Sequence, residues 1–387
     1  MNVRVCAPRF LSIGRGVLLD VPNVLSRLGA IKNPLIVTDK FMSKSGVSSK
    51  LQALLAEAGL QSAVFDSILP DPTDVMVLTG IDVLESGEHD AVIGLGGGSP
   101  IDAAKAIAVM ATGSRDIQDY RPPVQSDNPG LPMLAIPTTA GTGSEVTHHS
   151  VIVCDASREK ISCRGEGFVP DAAIVDFELT LTKPKRLIAD NGLDTLTHAI
   201  EAYVSRKASL YSDRMALDCM RLIAANLEIA YENPENLEAR EALMLAATFG
   251  GLAFSNASIA LVHGMSRPLG SLFHVPHGMS NAMLLPTVTK FSKTSALARY
   301  ADCARIIGAA QNSDSNEWAA DALVEALYRY NDNLDVPSLS GFGIRKTEYF
   351  SATKQMAEDA IRSGAPNNNP RIGNEQQIIE LYTEAWS

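Results

Sequence analysis

The residues best suited to chemistry in this chain are an aspartate and three histidines in its second half. Asp194 and His198 are four positions apart in the segment Asn-Gly-Leu-Asp-Thr-Leu-Thr-His. On an α-helix this spacing places both side chains on one face, close enough to share a metal ion. His263 and His277 each precede a glycine, where the backbone can bend to orient an imidazole. Each of the four is also compatible with an unrelated structural role.

Together, one carboxylate and three imidazoles would form a site of defined metal preference. This donor set suits Fe(II) or Zn(II), whereas Mg(II) and Ca(II) prefer oxygen ligands. Four protein ligands still leave room for a substrate oxygen if the metal becomes five-coordinate. Spacing alone links only Asp194 to His198, so it leaves the grouping with the two later histidines open.

A glycine-rich turn lies in the first half of the chain, in Gly96-Gly-Gly-Ser-Pro-Ile-Asp102. It follows a predicted strand and opens a predicted helix, whose free N–H groups could bind a pyrophosphate. We expect Ser99 to cap that helix and Pro100 to lie in its first turn. The spacing is not G-x-G-x-x-G, so a tight turn without a ligand is the alternative.

Two further polar features follow predicted strands. Asp39 could accept hydrogen bonds from an adenosine ribose and repel a 2′-phosphate, or it could simply cap a helix. It precedes the glycines, which disfavours a standard Rossmann half. The hydroxyl-rich loop Thr138–Gly143 could flank a cofactor or form a plain Gly/Thr turn.

Strand-like and helix-like segments alternate through the first half and then give way to helices. We predict strands at 34–39, 62–65, 90–95, 131–137, 151–154 and 172–176, and helices at 47–59, 74–86 and 100–110. This order predicts a mostly parallel sheet covered on both faces. Beyond Pro184, apolar periodicity predicts helices at 187–205, 213–231, 239–254 and 315–331, and a final helix after a polar turn at 367–370. The predicted domains are therefore an α/β domain over 1–182 and an all-helical domain over 183–387.

Composition disfavours several classes of protein. The 387 residues carry a net charge of −11, which would repel a nucleic acid. The five cysteines are scattered without a CxxC pair, so we expect neither a disulfide framework nor a thiolate zinc site, as in a cytoplasmic protein. We read no signal peptide at the N-terminus and no apolar stretch long enough to span a membrane.

Taken together, these motifs resemble those of the iron-containing (group III) alcohol dehydrogenases. The resemblance runs from about Gly14 to the C-terminus. It is carried by the segments 96–105 (GGGSPIDAAK), 137–147 (PTTAGTGSEVT), 192–203 (GLDTLTHAIEAY), 263–265 (HGM), 276–278 (PHG) and 369–371 (NPR). It implies the fold shared with dehydroquinate synthase: an N-terminal dinucleotide-binding α/β domain, an all-helical metal domain, and a site in the cleft between them.

The same resemblance implies roles for individual residues. The metal, Fe(II) or alternatively Zn(II), would be held by Asp194, His198, His263 and His277. The nicotinamide cofactor would be held by Asp39, Gly97, Gly98, Ser99, Thr138, Thr139, Thr142 and Lys160, and Asp39 would favour NAD(H) over NADP(H). The implied substrate is a small primary alcohol or aldehyde, and the implied assembly is a homodimer or larger.

The chain departs from the family pattern at Arg267, where relatives carry a second histidine assigned to proton relay and substrate contact. Arginine stays protonated and is a poor acid or base. The proton route could instead use His274, His148 or a chain of water and ribose hydroxyls, beside the ligand His277. Arg267 itself could bind an anionic group of the substrate or could pair with a neighbouring acid. Asp71 stands where many relatives have asparagine.

Other functions remain open on these residues. Zinc-dependent polyol dehydrogenases and dehydroquinate-synthase-like lyases share the fold, although the lyases usually have a glutamate among their ligands. A metallohydrolase would not need the glycine turn. A non-catalytic metal- or nucleotide-binding protein is the remaining alternative.

Overall fold

The computed structural model describes residues 3–157 and 159–386. The chain forms two compact units, one of residues 5–182 and the other of the residues from Lys183 onward with Val3 and Arg4. Among the described residues, the helices are all too short or too polar to cross a membrane.

The first unit alternates strands with helices. Its strands are β1 (Phe10–Ile13), β2 (Pro34–Val37), β3 (Ala63–Phe65), β4 (Ala91–Gly96), β5 (Met133–Pro137), β6 (His149–Val153), β7 (Lys160–Arg164) and β8 (Ala172–Val175). Its helices are α1 (Val21–Leu28), α2 (Lys40–Lys44), α3 (Val47–Glu57), α4 (Asp74–Ser86) and α5 (Gly98–Met110).

Six strands form one parallel sheet in the order β1-β8-β5-β4-β2-β3. The mostly parallel sheet predicted from the sequence is thereby confirmed. Every residue of β2, β4, β5 and β8 is buried, as expected for strands covered on both faces. The predicted strand at 151–154 lies in β6, which pairs with β7 in a separate antiparallel hairpin.

The sheet has a topological switch point between β2 and β4. From β2 the chain moves outward to β3, then returns to place β4 on the opposite side of β2. The loops after β2 and β4 therefore leave the sheet in opposite directions. In open α/β sheets, ligands bind in the crevice that this divergence creates at the carboxyl ends of the strands.

The second unit is all-helical, as predicted. Its helices are α6 (Lys185–Val204), α7 (Leu210–Glu232), α8 (Leu237–Ser255), α9 (Leu261–Phe273), α10 (His277–Ser292), α11 (Leu297–Ile306), α12 (Asn316–Asn333), α13 (Lys346–Arg362) and α14 (Glu375–Glu384). Helix α6 is central, because α7, α8 and α10 pack against it and nearly all its residues from Ile188 are buried. Helices α9 and α10 contain Pro268 and Pro286 in their interiors, so propensity alone does not predict them.

Candidate metal centre and cofactor cradle

Helix α6 presents three chemically active side chains on one face. Asp194, His198 and Glu201 are spaced by four and then three residues, which aligns them along the helix. All three are buried, with at most 4% of their surface exposed. Buried polar groups of this kind must be hydrogen-bonded, paired or bound to a metal.

The two later histidines occupy the first turns of neighbouring helices. His263 lies near the start of α9 and His277 is the first residue of α10. Helix α10 can approach α6 because residue 278 is glycine: a Cβ there would lie 2.2 Å from the carbonyl oxygen of Asp190. The glycine after His277 therefore sets the helix spacing that brings this histidine to Asp194.

The ligand atoms converge on one point. Oδ1 of Asp194 lies 3.5 Å from Nε2 of His263, 3.6 Å from Nε2 of His277 and 3.9 Å from Nε2 of His198. The candidate ligand atoms of Asp194, His263 and His277 all lie within 4.8 Å of one another. The ring of His198 stacks on that of His263 at 4.6 Å between centroids. The structure thus brings three of the four implied ligands, Asp194, His263 and His277, into one group. His198, the fourth, lies beside this group, next to Asp194 and stacked on His263.

Asn281, one turn after His277 on α10, reaches the centre of this group. Its Nδ2 lies 2.7 Å from Oδ1 of Asp194, 3.1 Å from Nε2 of His263 and 3.3 Å from Nε2 of His277. Its own Oδ1 is buried and, among the described residues, meets no hydrogen-bond donor. One carboxylate oxygen and two ring nitrogens thus surround the amide nitrogen of Asn281, while its buried amide oxygen has no partner among the described residues.

This arrangement fits a divalent cation. The acceptors aim at a point where positive charge would be stabilised, and their chemistry is that of an Fe(II) or Zn(II) site. The unpartnered amide oxygen of Asn281 is a further oxygen that such a cation could satisfy. The residues present therefore fit the metal that the sequence implies.

Glu201 contacts the site from the far side of one imidazole. Its carboxylate accepts hydrogen bonds from the backbone N–H groups of Ala260 and Val262 and from Nδ1 of His263, at 2.8, 2.6 and 2.7 Å. It touches Nδ1 and not Nε2, the nitrogen that faces Asp194. Glu201 therefore supports a ligand and does not replace one, unlike the ligand glutamate of the lyases.

Opposing effects set the protonation of the group. Burial raises the pKa of Asp194, but the neighbouring imidazoles of His198, His277 and His263 outweigh it, so the pKa lies well below its ordinary value. Burial lowers the pKa of His263, but the carboxylates of Glu201 and Asp194 outweigh burial and raise it to about 9. Asp194 is therefore held as a carboxylate.

In the α/β unit, the glycine turn lies against the hydroxyl-rich loop that follows β5. A Cβ at Gly97 would lie 3.3 Å from Cγ2 of Thr139, and one at Gly98 would lie 3.0 Å from Cγ2 of Thr142. The two loops are therefore in close contact at these positions, and a side chain there would push them apart. Glycine also leaves the backbone of the turn open to close approach, as a pyrophosphate requires.

The prediction that Ser99 caps helix α5 is wrong. The helix begins at Gly98 and its N-cap is Gly97, which offers no side-chain acceptor, so Ser99 lies inside the first turn. The helix begins two residues earlier than the sequence suggests, directly after Gly97. Because glycine has no side chain, the N-cap residue accepts nothing from the first N–H groups of α5, and N–H groups at the start of a helix suit an anion.

The threonine loop is held in place from α5. Asp102 accepts hydrogen bonds from the Ser144 hydroxyl and from the N–H of Val151, and Lys105 donates to both oxygens of Thr147. Burial lowers the pKa of Lys105 to about 8, against the opposing charges of Asp102 and Glu145. The motif GGGSPIDAAK thus also contains the two residues, Asp102 and Lys105, whose hydrogen bonds hold the threonine loop in place.

The remaining cofactor candidates have local partners. Asp39 caps α2 by accepting from the N–H of Met42 at 2.9 Å, as in the structural alternative above. The hydroxyl of Thr138 is buried and donates to the Met42 sulfur at 3.7 Å. Lys160 donates to Asp71 at 2.6 Å, so the lysine and the unusual aspartate form an ion pair.

The candidates for proton transfer and substrate binding occupy different settings. Arg267 is half-buried on α9, one turn after His263. His274 is exposed at the end of α9 in a left-handed conformation, with φ of 56°. His148 lies in the α/β unit, where burial, together with Lys105 and Arg164, lowers its pKa to about 4.

Sequence reasoning assigned no role to Glu201 or Asn281. Glu201 is seven residues after Asp194 and Asn281 is four after His277, so helical spacing alone puts each on the ligand face of its helix. That spacing was the signal available in the sequence. It could not predict that Glu201 contacts Nδ1 of His263 while Asn281 contacts Nε2.

Profiles of known protein families match the sequence of both units. Residues 8–177 match the profile of the iron-containing alcohol dehydrogenases, and residues 188–386 match the C-terminal profile of the Fe-containing alcohol dehydrogenase family. The chain belongs to the iron-containing alcohol dehydrogenase family. The family implied by the sequence motifs is thereby confirmed.

Named members of the family are similar over nearly the whole chain. The NAD-dependent methanol dehydrogenase of Bacillus methanolicus is 37% identical over 374 residues, covering 96% of this chain and 97% of that protein. The lactaldehyde reductase of Escherichia coli K12 is 36% identical over 376 residues, with coverage of 96% and 97%. The crystal structure of a 1,3-propanediol oxidoreductase superposes with a TM-score of 0.95 at 35% identity, covering all of both chains.

Proposed function

We propose that this protein is a metal-dependent, NAD(H)-linked alcohol dehydrogenase that interconverts small primary alcohols and aldehydes. The observation that carries the proposal is the convergence of Asp194, His263 and His277, whose candidate ligand atoms lie within 4.8 Å of one another, in a chain of this family. Relatives named for methanol and for lactaldehyde support a small substrate.

Within the helical unit, we assign Asp194, His198, His263 and His277 as metal ligands. Bound there, Fe(II) or Zn(II) would supply Lewis acidity toward the alcohol or carbonyl oxygen, and the nicotinamide would accept or donate the hydride. His277 has 49% of its side chain exposed while Asp194 is buried. The substrate therefore approaches from the His277 side of the ligand group.

Within the α/β unit, we assign Gly97, Gly98 and Ser99 to the pyrophosphate, and Thr139 and Thr142 to the surrounding contacts. Thr138 contributes by fixing the loop, since its hydroxyl is already bound to Met42. The carboxylate of Asp39, which caps α2 at the end of β2, would repel the 2′-phosphate of NADP(H). Lys160 would meet the nicotinamide-side ribose while paired with Asp71.

The test is an anaerobic assay with Fe(II) and NADH over aldehydes from propanal and lactaldehyde to succinate semialdehyde. Zn(II) and NADPH serve as controls. We expect NADH oxidation that requires added metal. If no aldehyde is turned over while the metal is bound, the dehydrogenase proposal is wrong and the arginine at 267 marks a changed chemistry.

For Arg267 we propose that the guanidinium binds a carboxylate, phosphonate or sulfonate on the substrate. Its half-buried position one turn from His263 supports this role. The measurement compares kcat/KM on neutral and ω-carboxy aldehydes of equal length, in the parent and in Arg267→Ala. Equal efficiency, unchanged by the substitution, would contradict the role. For transfer of the alcohol proton we propose His274, three residues before the ligand His277.

We further propose that the protein is a cytoplasmic homo-oligomer, a dimer or larger. We assign cofactor binding to residues 1–182, and metal and substrate binding to residues 183–387. All five cysteines are free thiols, which suits a reducing compartment. Strand β1 lies at the edge of the sheet, where Leu11 and Ile13 are each 37% exposed, and partly exposed apolar side chains on an edge strand favour association. Light scattering after size exclusion tests the assembly, and a monomer at micromolar concentration contradicts it.

A further inference from the structure

Glu201 joins the start of helix α9 to the C-terminal part of helix α6. Its carboxylate is 3% exposed and accepts three hydrogen bonds, from the N–H groups of Ala260 and Val262 and from Nδ1 of His263. The N-cap of α9 is Ala260, which has no side-chain acceptor of its own. Glu201, a residue of another helix, therefore supplies the cap. The same carboxylate also accepts a hydrogen bond from the imidazole of His263, one turn further along α9.

The contact fixes which ring nitrogen of His263 is available. A carboxylate at 2.7 Å accepts from Nδ1, so Nδ1 must carry the hydrogen. Nε2, the other ring nitrogen, faces Oδ1 of Asp194 at 3.5 Å. The ring is therefore held with the nitrogen that can ligate a metal directed at the centre of the group.

We propose that Glu201 is a positioning residue of the metal centre, which sets the tautomer and the orientation of His263. The inference rests on the proposed function, because it takes the ligand group to be a metal site. Outer carboxylates of this kind also increase the basicity of the ligating histidine, and their loss costs about 10- to 100-fold in metal affinity.

A purely structural role gives a different expectation. If Glu201 only capped α9, its loss would lower the free energy of unfolding of the metal-free protein, and folded protein would bind metal as before. The positioning role predicts weaker metal binding by protein that is still folded. Metal affinity measured below the unfolding transition therefore separates the two roles.

The variant to make is Glu201→Gln, which keeps the length of the side chain. Its single carbonyl oxygen cannot serve all three donors, and its amide N–H₂ would face another N–H. The matched control is Tyr203→Phe, on the same helix. It removes one hydrogen bond, from the Tyr203 hydroxyl to Asp302 at 3.0 Å, which involves none of the ligands.

The measurement is the dissociation constant of Co²⁺, obtained by titrating metal-free protein against a competing chelator and following the visible d–d absorption. We expect Glu201→Gln to bind Co²⁺ about 10- to 100-fold more weakly, with an altered d–d spectrum. We expect Tyr203→Phe to stay within about twofold of the parent, as for an independent site.

Folded Glu201→Gln with the affinity and spectrum of the parent would overturn the proposal. If that variant does not fold, Glu201→Asp replaces it with the same two outcomes. The shorter carboxylate cannot reach both the backbone N–H groups at the start of α9 and the ring of His263. Parent protein that binds no Co²⁺ would instead contradict the metal centre itself. Co²⁺ binding needs no turnover, so failure of this inference is distinct from failure of the proposed dehydrogenase activity.

Discussion

The two units offer binding groups of different kinds. In the helical unit the candidate ligands are side chains from three helices, gathered around the buried Asp194, with Glu201 and Asn281 in contact with them. In the α/β unit the cradle is made largely of backbone, at Gly97 and Gly98, with small hydroxyl side chains opposite. One region depends on the identity and charge of side chains, and the other on the absence of side chains.

This difference predicts how each region fails. A ligand group held by buried charges loses its function when a charge is removed, even if the shape of the residue is kept. A backbone cradle tolerates the loss of a hydroxyl but not the addition of a single carbon. Substitutions that are conservative in one region are therefore severe in the other.

The largest expected effect is that of Asp194→Asn. The substitution keeps the shape of the side chain but removes the only carboxylate among the proposed ligands. Because metal-assisted stabilisation contributes several kcal/mol, we expect turnover to fall by about 1000-fold or more, with loss of bound metal. NADH binding, followed by nucleotide fluorescence, should be largely retained because it belongs to the other unit.

Asp190→Asn is the matched control on the same helix. Asp190 pairs with Arg186 at 2.8 Å and is not among the ligand atoms. It should lower the free energy of unfolding but leave the metal content of folded protein unchanged. Full turnover by metal-free Asp194→Asn would break the comparison, since the helical unit would then not act through a metal.

The second effect concerns the cradle. Gly98→Ala would place a Cβ 3.0 Å from Cγ2 of Thr142 and push the two loops apart. We expect NADH affinity to fall about 10-fold or more with metal content unchanged, since a few lost contacts amount to over 1 kcal/mol. Ser99→Ala, which removes a hydroxyl and adds nothing, should have a smaller effect. A larger loss of NADH affinity in Ser99→Ala than in Gly98→Ala would mean that side chains, and not backbone, bind the cofactor here too.

The contrast between the regions also explains what the sequence could predict. The cradle motif is contiguous, and the strand, turn and helix around it follow from local pattern, as does α4 at Asp74–Ser86. The metal ligands are spread from 194 to 277, so spacing predicted only the pair on α6. The later histidines required the family resemblance, because their helices meet through packing at Gly278.

Details that depend on packing were missed or wrong. Ser99 was expected to cap α5, but the turn closes at Gly97. Helices α9 and α10 carry internal prolines, which local propensity reads as breaks. The roles of Glu201 and Asn281 depend on contacts between residues 59 to 87 positions apart, which no local pattern contains.

The third effect tests charge within the cradle. Asp39→Asn keeps an oxygen to cap α2 through the N–H of Met42 but removes the negative charge. We expect the preference for NADH over NADPH, measured as the ratio of kcat/KM values, to fall about 10-fold, since partly exposed like charges repel by a kcal/mol or so. Thermal stability should change little. An unchanged ratio would mean that Asp39 serves only as a helix cap.

The fourth effect is on the stability of the α/β unit in acid, and not on binding or turnover. In the folded protein, burial and the charges of Lys105 and Arg164, opposed by Asp127, lower the pKa of His148 from 6.5 to about 4. Between those pH values the unfolded chain binds a proton that the folded protein does not. The free energy of unfolding therefore falls as pH falls from 6.5 toward 4, by at most about 1.4 kcal/mol per pH unit.

His148→Gln should remove this contribution. Urea unfolding midpoints measured from pH 8 to pH 4.5 should fall less steeply for the variant than for the parent. At pH 8 the histidine is neutral in both states, so the difference there isolates the cost of lost packing. Parallel curves over the whole range would mean that His148 is protonated as easily in the folded protein as in the unfolded chain. The α/β unit would then bury no titrating side chain at this position. Only the helical unit would depend on buried charge, and the contrast between the two units would be sharper.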